Sequence, residues 1–267
     1  MIIISCYPMK TRQISIRTPD GVSLDATIVE ADRSGAPFVI LAHGITVDKE
    51  EEGAFENLSD ALASEGYGSL RFSFRGHGAS GLDSAALTVS GEMIDLKTIV
   101  DYVLPKEGKL GGLVAASFGA VSTSLLARYL EPRVNCLTLW NPVLSLEETF
   151  VKPSTEWAKK NFSGSNVASI YNDGVFKIDG EFSVGVVFWE ELHHFRPDRT
   201  LTQTKTPLLI LHGDRDTYAP FGVSKRFVAE RPKSRLIVVH GSDHGFPTPK
   251  AEQFAIEETV RFVAEHN

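Results

Sequence analysis

The chain has little of what would take it out of the ordinary globular class. It has only two cysteines, Cys6 and Cys136, in 267 residues. That is too few for a stapled secreted scaffold, and neither has a partner at a metal-ligand spacing, so reduced thiols are expected. No window approaches the roughly 20 apolar residues that a membrane-spanning helix needs. The apolar start, Met1-Ile2-Ile3-Ile4-Ser5-Cys6, lacks a basic region, so neither a signal peptide nor a lipid anchor is expected. No basic run offsets the formal net charge of −7, which argues against nucleic acid or anionic membrane as a main partner. There is no internal repeat and no low-complexity tract. A cytoplasmic protein is the default expectation.

What is present suits one sizeable core. Hydrophobic residues make up 42% and charged residues 23%, and a chain of this length can stay one domain in α/β folds, so residues 1–267 read as a single domain. The densest charge run, Asp48-Lys49-Glu50-Glu51-Glu52, reads as a solvated loop or helix start.

Residues 13–29 read as a hairpin: two alternating stretches around the turn Pro19-Asp20-Gly21. The continuous apolar run Phe38-Val39-Ile40-Leu41-Ala42 then suits a strand buried on both faces, as in a parallel sheet. Strand and helix alternate from there. Helices are expected over 54–65, 90–103 (started by Ser90), 118–130, 221–230 and 251–265. Strands are expected over 67–74, 109–116, 134–140, 207–211 and 236–240. The pattern predicts an α/β fold, a mostly parallel central sheet flanked by helices. Residues 145–200 break the rhythm. They carry a hairpin-like stretch from Asp173 to Val184 and many aromatics, including Phe150, Trp157, Phe162, Phe176, Phe188 and Trp189. A structureless loop of this length is improbable in a compact domain, so the segment reads as an inserted lid after the sixth strand. A homodimer would use helix 251–265 or the outer strand.

The chemistry points to three loops. In Ala115-Ala116-Ser117-Phe118-Gly119 an apolar strand runs into a serine flanked by small residues, with a helix behind it. Small flanks are what a strained strand-to-helix turn requires, and the helix N-terminus offers amide protons to a developing oxyanion. The alternative is a simple serine helix cap. A second strand ends in His212-Gly213-Asp214-Arg215-Asp216, and a third in His240-Gly241-Ser242-Asp243-His244. All three loops fall beyond strand C-termini, where such sheets bind ligands. A serine hydroxyl is a weak nucleophile near neutral pH and needs a histidine base oriented by a carboxylate. Ser117, His244 and a loop aspartate supply that set.

At these positions the chain resembles the α/β-hydrolase superfamily along nearly its whole length. His43-Gly44-Ile45 is similar to its oxyanion loop, 115–119 to its nucleophile elbow, 212–220 to its acid loop and 242–244 to its histidine loop. Within the superfamily it looks most like small bacterial feruloyl and cinnamoyl esterases, which share the Arg75-Gly76-His77-Gly78-Ala79-Ser80 stretch and an insertion after the sixth core strand. The resemblance implies Ser117, Asp216 and His244 as the catalytic triad, the amides of Ile45 and Phe118 as the oxyanion hole, and no cofactor or metal. Asp214 is the alternative acid, better read as a turn residue.

The remaining histidines have plainer readings. His43 shapes the oxyanion loop, His77 is structural, and His212 and His240 satisfy local backbone groups. His193 and His194 lack a metal-ligand set. The expected activity is a serine esterase acting on a small-molecule ester with an apolar or aryl acyl group. An acyl thioesterase or acyltransferase with the same residues is the near alternative. A serine peptidase is disfavoured, and an aspartate-dependent dehalogenase or epoxide hydrolase is disfavoured by Ser117 itself. The rival of another class is a non-catalytic small-ligand-binding protein on the same fold.

Overall fold

A computed structural model describes residues 10–31, 35–104, 109–231 and 233–267. Cys6 lies outside them, and Cys136 is a buried free thiol. The sheet opens with the expected hairpin, β1 (Lys10–Arg17) antiparallel to β2 (Ser23–Glu30). It continues through β3 (Phe38–Ala42), β4 (Gly68–Phe72), β5 (Gly112–Ala116), β6 (Leu137–Trp140), β9 (Leu208–Gly213) and β10 (Ser234–Val239). The spatial order is β1-β2-β4-β3-β5-β6-β9-β10. β2 meets β4 antiparallel, and every later pairing is parallel. The apolar runs are apolar because β3, β5, β6 and β9 are covered on both faces.

The strand period of two sorts these runs into two layers. Ile40, Ala42, Leu113, Ala115 and Ile210 face one side. There they pack under α2 (Val89–Val103), α3 (Gly119–Leu125), α4 (Ala127–Leu130) and α9 (Phe221–Glu230). Val39, Leu41, Val114, Ala116 and Leu209 face the other side. Their cover is α1 (Ala54–Ser64) and α10 (Pro249–Glu265). Phe55, Leu58 and Leu62, one face of α1, are each 0% exposed. Pro249 sits in the first turn of α10, where its missing N–H removes no helical bond.

Helix α10 starts two residues earlier than expected, at Pro249, and two further differences have a visible cause. α2 starts at Val89, not Ser90, because Thr88 is the cap and its hydroxyl accepts the Gly91 N–H at 2.8 Å. Ser90 instead donates to Glu191 Oε1 at 2.6 Å. The helix expected over 118–130 kinks at Leu126, whose backbone leaves the helical range (φ −91°, ψ 7°). The Ser122 and Thr123 hydroxyls turn back to the Gly119 carbonyl just before the kink, a competition that bends helices.

The segment between β6 and β9 forms its own unit of short elements. It runs through a wide helical turn at Glu147–Val151, α5 (Glu156–Asn161) and α6 (Gly164–Asp173). The hairpin β7 (Val175–Ile178) and β8 (Phe182–Gly185) follows, then α7 (Val186–His194) and α8 (Pro197–Leu201). Its aromatics make a third core: Phe150, Phe162, Phe176 and Phe188 pack with Phe118 and Ile45 from the sheet edge. Glu191 of α7 clips the unit to the body by accepting the Val89 N–H at 2.6 Å at the start of α2. Among the described residues, no helix is long and apolar enough to cross a membrane.

Candidate active site

Ser117 stands on a turn that only a strained backbone can make. Its φ is +48°, in the left-handed region that non-glycine residues avoid. Main-chain bonds on both sides hold it there: Ser117 N–H donates to the Trp140 carbonyl at 2.8 Å, and Val143 N–H donates to the Ser117 carbonyl at 3.0 Å. Gly119 lets the following helix close against β3. A Cβ at that position would lie 2.5 Å from the carbonyl oxygens of both Ala42 and His43.

The loops after β9 and β10 deliver the other two side chains. His244 Nε2 lies 2.9 Å from Ser117 Oγ, and His244 Nδ1 lies 2.8 Å from Asp216 Oδ2. The Asp216 side chain is 0% exposed and that of His244 16%. Asp216 Oδ1 accepts the Tyr218 and Ala219 N–H groups at 2.8 Å each. Burial would raise the Asp216 pKa, but the facing His244 and His212 rings outweigh it and hold the carboxyl below its usual range. Burial likewise opposes the charged form of His244, yet the Asp216 carboxylate overrides it and the net shift is upward. The Tyr218 ring stacks on the imidazole, with centroids 4.9 Å apart and planes at 19°.

Neighbouring acids have other work. Asp243 Oδ1 accepts the His244 N–H at 2.7 Å and the Thr217 N–H at 2.8 Å, tying the histidine loop to the acid loop. Asp214 accepts the Gly241 N–H at 2.7 Å and faces His240 Nδ1 at 2.9 Å. Asp214 is therefore turned away from His244.

Ile45 lines the cleft with Ser117, Phe118 follows the serine in the chain, and among the described residues no hydrogen bond engages either N–H. Behind them His43 is buried, with Nε2 accepting the Phe74 N–H at 2.9 Å. Its Nδ1 therefore carries the proton and donates to the Gly44 carbonyl at 2.6 Å. Burial holds its pKa well below the usual value. His77 meets it edge to face, 4.9 Å between centroids, with its Nδ1 3.0 Å from the Arg75 carbonyl. Arg75 anchors that loop in an ion pair with the buried Asp95, at 2.7 Å, and with Asp20, at 2.8 Å.

Three expectations are corrected. His212 does more than satisfy backbone groups: its Nε2 lies 3.1 Å from Asp216 Oδ2, making it a second histidine on the same carboxylate, and its Nδ1 meets Ser224 Oγ at 2.9 Å. His240 pairs with a carboxylate, not the backbone, and its side chain is 83% exposed. The charge run 48–52 does lead into the start of α1, but it is not a solvated loop. Lys49 is buried against Asp25 at 2.6 Å, and Glu50 pairs with Arg71. Glu51 reaches in to accept the Gly44 N–H at 2.7 Å. Dehydration raises the Glu51 pKa to about 7.

A cleft of about 440 Å³ opens in front of Ser117 and His244, walled by Ile45, Phe150, Trp157 and Tyr218. Trp157 is braced from behind, its Nε1 donating to Asp179 Oδ2 at 2.8 Å. The acids on its walls are Glu51, Glu52, Asp179 and Asp243, and among the described residues no lysine or arginine lines it. Among the described residues no group of three or more His, Cys, Asp or Glu side chains is arranged to hold a metal ion.

Fold and site together define a hydrolase architecture, and the family comparison agrees. Residues 39–258 match the alpha/beta hydrolase family, and the chain belongs to it. Among solved structures it is similar to Est1E from Butyrivibrio proteoclasticus with ferulic acid bound, with a TM-score of 0.80 and 20% identity over 95% of this chain and 98% of that one. It is also similar to an esterase from Pyrococcus furiosus, with a TM-score of 0.72 and 21% identity over 97% and 91% of the two chains. At these identities the likeness establishes the fold. In sequence it is 24% identical over 251 residues to the acylamino-acid-releasing enzyme of Rattus norvegicus. That match takes in 88% of this chain, which spans only about a third of the rat protein (32%).

Proposed function

We propose that the protein is a serine esterase that cleaves carboxylic esters through an acyl-enzyme. The observation that carries this reading is the continuous line Ser117 Oγ, His244, Asp216 at 2.9 and 2.8 Å. Ser117 Oγ attacks the ester carbonyl while His244 Nε2 takes its proton. Asp216 holds the imidazolium, and the Ile45 and Phe118 amides receive the oxyanion. Collapse of the tetrahedral intermediate breaks the C–O bond, and His244 returns the proton to the departing alcohol. Water, deprotonated by His244, then attacks the acyl-serine, and the second collapse releases the acid and restores Ser117.

The segment 145–200 acts in this reading as a lid within the one domain, its Phe150 and Trp157 forming an apolar wall for an alkyl or aryl acyl group. The acidic lining supports esters over acyl-CoA thioesters, because a polyphosphate would meet four carboxyl groups and, among the described residues, no lysine or arginine. The binding-protein alternative is disfavoured by the strain at Ser117, which a mere ligand site has no need to maintain.

The test is hydrolysis of p-nitrophenyl acetate, butyrate and octanoate, methyl ferulate, an acyl-CoA and an N-acetylamino acid p-nitroanilide by wild type and Ser117→Ala. The last substrate covers the amide chemistry that the name of the rat relative describes. Ester turnover that is lost in the variant supports the proposal. Equal inertness of both proteins across the esters contradicts it, and preference for the anilide replaces it with an amidase.

A further inference from the structure

Glu51 is placed where a charge run had suggested solvent. Glu51 and Glu52 both adopt left-handed backbone, with φ of +46° and +55°, and Gly53 follows at +98°. Three such residues in a row turn the chain sharply before α1, and the turn sends the Glu51 side chain under the oxyanion loop. There its Oε2 accepts the Gly44 N–H at 2.7 Å. Gly44 has no room of its own: a Cβ would stand 3.0 Å from Ser117 Cβ and 3.5 Å from Glu51 Oε1. Glu51, Ser117 and His244 also line one small void of about 10 Å³ behind the serine. The carboxyl thus touches the residue before Ile45 on one side and the imidazole's surroundings on the other.

We propose that Glu51 is a positioning residue of this site. By accepting the Gly44 N–H it sets the turn that presents the Ile45 amide, and by lying behind His244 it adjusts the charge of that ring. The proposal rests on the esterase reading. Two effects follow from different physics. An unfilled Gly44 N–H would let the turn rotate, which lowers transition-state binding more than substrate binding. Loss of the carboxylate would remove a negative charge that favours imidazolium, so the His244 pKa would fall. The other charges facing this pair are Asp216 and Asp243 around His244, with Glu52 and Asp48 on the Glu51 loop. Lys49 is engaged by Asp25.

The experiment compares wild type, Glu51→Gln and Glu51→Ala on the best p-nitrophenyl ester, with pH profiles, and follows the Gly44 amide resonance of the wild type and Glu51→Gln by NMR against pH. Glu51→Ala should lose about tenfold or more in kcat with KM changed less than about threefold, as expected for a group that serves the oxyanion hole. Glu51→Gln keeps an acceptor for Gly44, so it should recover most of that kcat while its acid limb moves to lower pH. In the wild type the Gly44 resonance should titrate near pH 7, and in Glu51→Gln that titration should vanish. A Glu51→Ala enzyme with wild-type kcat, an unmoved limb in Glu51→Gln, or a Gly44 resonance that titrates alike in both proteins would each overturn the proposal. If the wild type shows no Ser117-dependent turnover, the esterase reading fails, and the Gly44 titration alone then decides whether Glu51 governs this turn.

Discussion

Asp216 and Glu51 are two carboxyls near His244, and they have responded in opposite directions. Asp216 receives two backbone N–H groups on Oδ1 and faces two histidines on Oδ2, and it is held below the usual carboxylate range. Glu51 has one backbone N–H and is pushed up to about 7. Burial penalises the charged form of both carboxyls. The number of donors and positive neighbours decides the outcome. One site therefore contains a carboxyl held ionised against His244 and another poised to change charge near neutrality.

Mutation can break that contrast. Asp216→Asn keeps the shape and removes the charge, and kcat should fall by about 10⁴, the scale seen when a triad loses its carboxylate. Glu51→Gln, the same carboxyl-to-amide change at the other carboxyl, should lie orders of magnitude above it in the same assay. If the two fall together, the assigned roles are wrong.

A smaller effect belongs to His212. His212→Asn withdraws one donor from Asp216 while leaving the two amides and His244, so kcat should fall roughly tenfold, the worth of one hydrogen bond to a charged group. A loss as large as that of Asp216→Asn would mean that His212 is the principal partner of the acid.

The acid limb of kcat/KM reports the free enzyme's base. Because Asp216 raises the His244 pKa, activity should fall away at a pH above the ordinary histidine value of 6.5. A limb below 6.5 would contradict that coupling.

The smallest effect is on stability. The Glu51 pKa in the folded protein lies above its ordinary value of 4.5, so its stabilising contribution is complete below pH 4.5 and is lost as pH rises through about 7. Glu51→Gln should therefore gain on wild type as pH rises from 5 to 8.5, by roughly 5 °C in Tm. Asp216 has the opposite sign. Its contribution is present above its ordinary value of 3.8 and is lost as pH falls through its lower folded value, so Asp216→Asn should be less stable than wild type at neutral pH. Thermal melts across the pH range read both.

How much of this was legible depends on the range of the cause. The double-sided strands announced themselves because five apolar residues in a row, Phe38 to Ala42, suit a strand covered on both faces. The nearness of Ser117, Asp216 and His244 followed from their places just past three strand ends. The partner of His212 was hidden, since a contact four residues along the chain depends on the tight turn that brings Asp216 back under the strand. Glu51 was hidden for a similar reason: its composition says solvent, and only the left-handed backbone at Glu51 and Glu52 turns it inward. At α2, Thr88 and Ser90 are both good caps on paper, and Glu191, 101 residues away, occupies the second. The aromatics of 145–200 marked the segment as an insertion, while which of them face the cleft was settled by tertiary packing, with Trp157 held by Asp179.

The central claim is that Ser117 carries the acyl group. Intact-protein and peptide mass measurement after rapid acid quench of the wild type with p-nitrophenyl butyrate tests it most directly. A mass gain of one butyryl group is expected, confined to the peptide containing Ser117 and absent in Ser117→Ala. An acyl group found on another residue, or ester turnover retained in Ser117→Ala, would contradict it.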